Sequence, residues 1–263
     1  MHIRLFLGLW AAGLTCAAPP AAETSTTSAG LAAQAAAARG GQYLFVVFWK
    51  EDDDATRAVR QTLADSLAGR AGRATAVAVR VTDPTEKPIV DRYGVSRSPM
   101  PLVLAVAPNG AVTGAFAVKL AEQDVARAFV SPAQAGCMKA VQARKLALVC
   151  VLPASGSSAV PAGVREFQAD ARFGPATEVV TLRAGDATEA SFLNALRIDP
   201  RTEVLVTALL APPGRLLGTF AGPVSKEQLV EKVTAPQGCC PGGKCGPGCC
   251  CPGGQCTPGG PRP

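Results

Sequence analysis

Tyr43-Leu-Phe-Val-Val-Phe-Trp49 is an unbroken apolar run of strand length, and Leu146-Ala-Leu-Val-Cys-Val-Leu152 is its second occurrence just over a hundred residues later. What surrounds the two runs repeats as well. An Ala-rich helical stretch, Leu31 to Arg39, leads into the first run, and Cys137 to Arg144 leads into the second. Each run is followed by apolar residues at one-face helical spacing, Val59, Leu63 and Leu67 in the first copy and Val164, Phe167 and Ala171 in the second. Second strands are expected at Ala76–Val81 and Glu178–Leu182. A short helix and a hairpin come next. Pro108-Asn109-Gly110 precedes Ala-Val-Thr-Gly-Ala-Phe116, and Pro212-Pro213-Gly214 precedes Arg-Leu-Leu-Gly-Thr-Phe220, turn chemistry that supplies positive φ where a chain reverses. Closing helices carry Val125 and Phe129, then Leu229 and Val233.

The order strand, helix, strand, helix, hairpin, helix requires a right-handed parallel crossover followed by an antiparallel edge pair. Val-Val-Phe48-Trp49 resembles the strand that delivers the active-site motif in the thioredoxin family, and Tyr93-Gly94-Val95-Ser-Arg-Ser98-Pro99 resembles the stretch leading to that family's cis-proline. The resemblance covers Leu31 to about Pro132 well, and over the second copy it rests on element order and the Gly-x-Phe hairpin. The expected fold class is therefore α/β, with two tandem thioredoxin-like domains at residues 31–132 and 133–235. A signal and processing region, 1–22, and a polar linker, 23–30, precede them; a largely disordered Gly/Pro/Cys-rich tail, 236–263, follows.

The resemblance also shows what is missing. In redox-active members a Cys-x-x-Cys opens the first long helix, where the helix N-terminus lowers the leading thiol's pKa. Here those positions hold Asp53, Asp54, Ala55 and Thr56, and the family's buried carboxylate is replaced by Val47. No catalytic residue is therefore assigned. Cys150, in the second copy's strand, has no companion thiol nearby and reads as a small buried apolar residue. Asp52, Asp53 and Asp54 could contact a hard cation, but carboxylates at a helix start also cap free backbone N–H groups, and no calcium-loop spacing accompanies them. The surviving part of the family apparatus is Ser98-Pro99. The resemblance implies a loop that presents backbone to an extended peptide; a turn before the central strand is the plainer reading.

Met-His-Ile-Arg followed by apolar Leu5–Leu14 and small residues through Ala18 reads as a secretory signal peptide, so an exported protein is expected, periplasmic, extracellular or on the cell surface. A lipid anchor at Cys16 is not favoured, because Gly13 stands where lipoprotein signals usually carry Leu. No later stretch approaches the roughly 20 apolar residues of a membrane helix. The only histidine is His2, so the chain beyond the signal has no imidazole for a Ser-His-Asp or Cys-His centre, a mixed Cys/His zinc site or a haem ligand. The net charge of +6 is mild and dispersed. Arg57, Arg60, Arg70 and Arg73 lack interleaved aromatics and read as a solvated face, not a nucleic-acid surface.

Seven of the ten cysteines lie in the tail: Cys239-Cys240-Pro-Gly-Gly-Lys-Cys245, then Cys249, then Cys250-Cys251-Pro-Gly-Gly-Gln-Cys256. A Gly/Pro-rich segment with almost no apolar residues cannot offset its ordering entropy, so fixed shape must come from sulfur cross-links. Vicinal and Cys-x-Cys thiols resemble metallothionein-like segments, which implies soft ions such as Cu(I), Zn(II) or Cd(II). Exported thiols tend instead to oxidise, and seven being odd, full pairing would need an outside partner such as Cys137 or another chain. Two functions stay open: a non-catalytic binding scaffold, with a protein or peptide partner, whose tail holds soft metal, and a thiol-disulfide or cross-linking protein that uses the tail.

Overall fold

The structure, a computed structural model, describes residues 28–155 and 159–235. The first domain runs α1 (Ala29–Arg39), β1 (Tyr43–Trp49), α2 (Asp54–Leu67), β2 (Ala74–Arg80), α3 (Lys87–Tyr93), β3 (Leu102–Val106), β4 (Val112–Ala117) and α4 (Glu122–Ala128). The second runs α5 (Pro132–Gln142), β5 (Leu146–Leu152), α6 (Ala162–Ala169), β6 (Thr177–Arg183), α7 (Ala190–Ala195), β7 (Val206–Ala211), β8 (Arg215–Ala221) and α8 (Lys226–Thr234). Both sheets have four strands in equivalent order, β2-β1-β3-β4 and β6-β5-β7-β8, the first pair parallel and the others antiparallel. These are tandem thioredoxin-like domains. Even the irregularity repeats, with a register shift between Ala105 and Val106 and its counterpart between Leu209 and Leu210.

Both central strands, β1 and β5, are buried on both faces, which is why they read as continuous apolar runs and not as alternating ones. Phe45 and Val47 face Val59, Leu63 and Val125 on one side of the first sheet, while Leu44, Val46 and Phe48 face Ala37, Ile89 and Val90 on the other. The second domain repeats this with Leu148 and Cys150 against Phe167 and Leu229, and Val149 and Val151 against Leu193 and Leu196.

Several boundaries differ from the sequence reading. Helix α1 opens at Ala29, inside the stretch read as linker, because the Ser28 hydroxyl accepts the Leu31 N–H as an N-cap. Helix α5 likewise opens at Pro132, capped by Ser131, well before Cys137. Helix α6 ends at Ala169, so Ala171 is exposed; Phe173, stacked on Phe167 with ring centroids 4.9 Å apart, takes the third apolar position.

A buried carboxyl group ties each domain's leading helix to its third. Glu86, 6 % exposed, accepts from the Ser28 hydroxyl at 2.5 Å and from the Gly30 N–H at 3.2 Å. Glu189, 5 % exposed, accepts from the Ala133 N–H at 3.0 Å. Each closes an Asp-x-Thr-Glu turn in which Asp83 or Asp186 accepts from the hydroxyl and N–H of the following Thr85 or Thr188. Between the domains, Ala135 and Met138 of α5 pack against Ala107 and Ala111, and the Gln142 side chain accepts from the Val112 N–H at 3.0 Å and donates to its carbonyl at 2.6 Å.

Candidate functional site

Strand β1 ends at Phe48, fully buried, and Trp49, whose ring lies beneath the guanidinium groups of Arg60 at 4.5 Å and Arg80 at 5.4 Å. At the helix start that follows, Asp53 is the N-cap of α2 and its carboxylate accepts the Thr56 N–H at 2.8 Å. That bond holds the Asp53 carboxyl below the usual carboxylate range. Asp52 pairs with Arg60 at 3.2 Å and Asp54 with Arg57 at 2.6 Å. The three carboxylates thus serve separate partners, Asp53 as the helix cap and Asp52 and Asp54 in ion pairs. A helix start that would activate a thiol carries instead an oxygen acceptor already engaged with the backbone.

The two described thiols are poorly suited to exchange. Cys150 is fully buried in β5 at the position equivalent to Val47 in β1, and burial pushes its thiol up to about 11. Cys137, 4 % exposed on α5, is pushed up to about 12 by burial and then by the charge of Glu189. Neither supplies appreciable thiolate near neutral pH.

The loop into β3 corrects one expectation. The cis peptide bond is Met100–Pro101, not Ser98–Pro99. Ser98 is half-buried and closes a short turn through its N–H to the Val95 carbonyl at 3.0 Å, and Pro99 is exposed. Strand β3 begins at Leu102, so Pro101 stands at its mouth, where its carbonyl accepts the Val118 N–H at 2.7 Å. The residue that precedes the cis-linked proline is Met100. Its side chain packs on the cluster containing Phe48 and Tyr93, while among the described residues nothing bonds its backbone N–H or carbonyl.

The second domain closes the same place. Val204 is the counterpart of Met100, since the Leu205 carbonyl accepts the Gly222 N–H at 2.7 Å as Pro101 accepts that of Val118. The Thr202 hydroxyl accepts the Val204 N–H at 3.3 Å and donates to the Val204 carbonyl at 3.1 Å, taking both groups. Beside it lies a half-open cavity of about 540 Å³ bordered by Pro153, Ser155, Gly185, Arg201 and Glu203. Val118 and Val204, 44 % and 54 % exposed, are the two large apolar side chains left to solvent among the described residues, and both flank these loops. Val118 also has φ +68, a left-handed conformation that a β-branched residue rarely adopts; its counterpart Gly222 has φ +80.

Sequence reasoning found the loop but missed Met100, Pro101, Val118 and Thr202. One signal was present: of the two prolines, Pro101 is the one directly against the apolar run Leu102–Val106. The tail cysteines Cys239, Cys240, Cys245, Cys249, Cys250, Cys251 and Cys256, the signal region and Cys16 lie outside the described residues. Among those residues no group of three or more His, Cys, Asp or Glu side chains converges, and no helix is long and apolar enough to cross a membrane.

No family model matches the chain, and no curated protein matches it. Solved structures do. A disulphide isomerase from Xylella fastidiosa Temecula1 aligns over 43 % of this chain and 93 % of its own, at 21 % identity and a TM-score of 0.31. The zinc-bound form of human ERp44 aligns over 79 % of this chain and 59 % of its own, at 12 % identity and a TM-score of 0.35. The first two thioredoxin domains of Naumovozyma dairenensis Eps1p align over 81 % of this chain and 97 % of their own, at 11 % identity and a TM-score of 0.27.

Proposed function

We propose that this protein is an exported, non-catalytic scaffold whose first domain binds an extended segment of a protein or peptide partner, and whose tail binds a soft metal ion through thiolates. The observation that carries the peptide reading is the contrast between the two loops. Met100 leaves a donor and an acceptor unpaired beside an exposed Val118, whereas Thr202 occupies the same groups of Val204. An extended chain entering the first groove gains main-chain hydrogen bonds there and apolar contact with Val118. With Asp53 at the helix start, such a peptide meets no thiol to attack it.

The test uses a fluorescein-labelled, reduced and alkylated insulin B chain, titrated with the reduced full chain. Wild type should bind with a stoichiometry of one. Val118→Asp should weaken binding about tenfold, a change of roughly 1.4 kcal/mol, and Thr202→Ala should raise the stoichiometry to two. Absence of binding by wild type, or indifference to Val118→Asp, defeats the groove reading.

The tail reading rests on the sequence of its two Cys-Cys-Pro-Gly-Gly-x-Cys units, in which Gly and Pro turns permit sulfurs to wrap one ion and metal supplies the folding energy the segment lacks. Replacing Cys240, Cys245, Cys250 and Cys251 by Ser should abolish competition with a Cu(I) or Zn(II) chelator while both domains stay folded. If the reduced wild-type tail competes no better than that variant, disulfide cross-linking becomes the leading account of the tail.

A further inference from the structure

Each sheet ends in two edge strands, β2 and β4 in the first domain, β6 and β8 in the second. Three of these edges carry features that discourage another strand from adding. The edge of β4 is sealed at Val112 by the Gln142 side chain and bent by the register shift opposite it. Strand β8 has the equivalent shift and begins at a charged Arg215. Strand β6 carries Glu178, ion-paired with Lys145, near its start. Strand β2 has no such feature before its last residue, Arg80. Ala-Thr-Ala-Val-Ala-Val runs from Ala74 to Val79 without charge, proline or register shift.

The parallel ladder fixes which β2 groups are left over. Tyr43 donates to the Arg73 carbonyl and Val81 to the Trp49 carbonyl, both at 2.9 Å, so Arg73, Thr75, Val77, Val79 and Val81 face β1. Ala74, Ala76, Ala78 and Arg80 then direct their N–H and carbonyl groups outward. Asp83 takes the Arg80 carbonyl, and among the described residues nothing takes the outward groups of Ala74, Ala76 or Ala78. Ala76 and Ala78 are exposed, and with Val77 they border a shallow trough of about 230 Å³ against Arg60, Leu63 and Ala64 of α2.

We propose that β2 docks the β2 strand of a second copy of this chain, antiparallel about a twofold axis at Val77. In that register Ala76 meets the partner's Ala78, and both point their hydrogen-bonding groups toward each other. Val77 faces the partner's Val77, and Thr75 the partner's Val79. Charge selects this arrangement. Arg80 falls opposite the partner's Ala74 and Arg73 opposite the partner's Val81, whereas a parallel copy would set arginine beside arginine at both ends. Twofold pairing through one self-complementary patch also closes the assembly, so neither β2 edge is left for a third copy.

The experiment is sedimentation equilibrium of the full chain over a concentration series, with excess reductant and chelator so that neither tail disulfides nor tail metal can join two chains. The expected result is a reversible monomer–dimer equilibrium. Ala78→Pro removes one outward N–H without touching the β1 ladder, and Ala76→Lys places a charge at the pairing edge. Each should weaken the dimer at least about tenfold with an unchanged circular dichroism spectrum; if Ala78→Pro does not fold, Ala76→Lys decides. Amide exchange at Ala76 and Ala78 should slow as wild-type concentration rises. A wild-type chain that stays monomeric at every soluble concentration overturns the proposal, as does a dimer indifferent to the folded variants.

Discussion

Val118 is held in a left-handed conformation at a place where the second domain uses Gly222, so the duplicated domain shows that the backbone geometry is wanted and that the valine is not needed to produce it. Such a conformation costs an L-residue roughly 1–2 kcal/mol, partly offset in a glycine variant by the greater freedom of the unfolded chain. Val118→Gly should therefore raise stability by about 1 kcal/mol in urea unfolding while weakening peptide binding, because the apolar lip is lost. A variant that is less stable than wild type would mean that Val118 packs usefully despite its exposure. Two other left-handed sites pair across the repeat in the same way, Gly41 with Arg144 and Gly94 with Arg197. Val118, Arg144 and Arg197 are not visible as such sites in their own copy's sequence alone. Glycine announces such a site, whereas a valine or arginine in the same conformation looks like any other surface residue.

Among the elements, the central strands were legible to the residue, because a strand buried on both faces writes itself as a continuous apolar run with abrupt ends: Tyr43–Trp49 and Leu146–Leu152 stand as read. Edge strands were legible only in outline. Strand β2 begins at Ala74 and β6 at Thr177, since their limits are set by pairing with a neighbour and not by their own composition. The helix starts at Ala29 and Pro132 were missed for a related reason: each depends on a serine cap and on a glutamate far along the chain. That glutamate supports a prediction. Glu86→Ala leaves the Ser28 hydroxyl and the Gly30 N–H without their buried acceptor and should cost about 2 kcal/mol, against about 1 kcal/mol for Glu189→Ala, which strands only the Ala133 N–H. Chemical denaturation of the two variants should reproduce that order, and equal losses would show that the Ser28 bond contributes nothing.

In the whole molecule, contacts from α5 to the β3–β4 hairpin join the domains, and they consist of a few small apolar residues plus one side-chain amide. The double substitution Met138→Ala with Gln142→Ala removes much of this junction while sparing Cys137 and Ala140 in the second core. Calorimetry should then resolve two melting transitions where the wild type gives one; a single transition in both proteins would show that the coupling lies elsewhere. The proposed groove was half legible. Its loop was found from Tyr93 to Pro99, but which proline faced the strand, and whether the backbone beside it was open, depend on hydrogen bonds that no local pattern encodes. The closure of the second loop by Thr202 has a consequence for valence. Every threonine codon becomes an alanine codon by one base change, so a chain with two open loops lies a single point mutation away. If the first loop binds an extended segment as proposed, an unfolded ligand long enough to reach both open loops would be recaptured at an effective concentration on the order of millimolar after each partial release, and one hydroxyl group would separate a receptor that lets go from one that holds on.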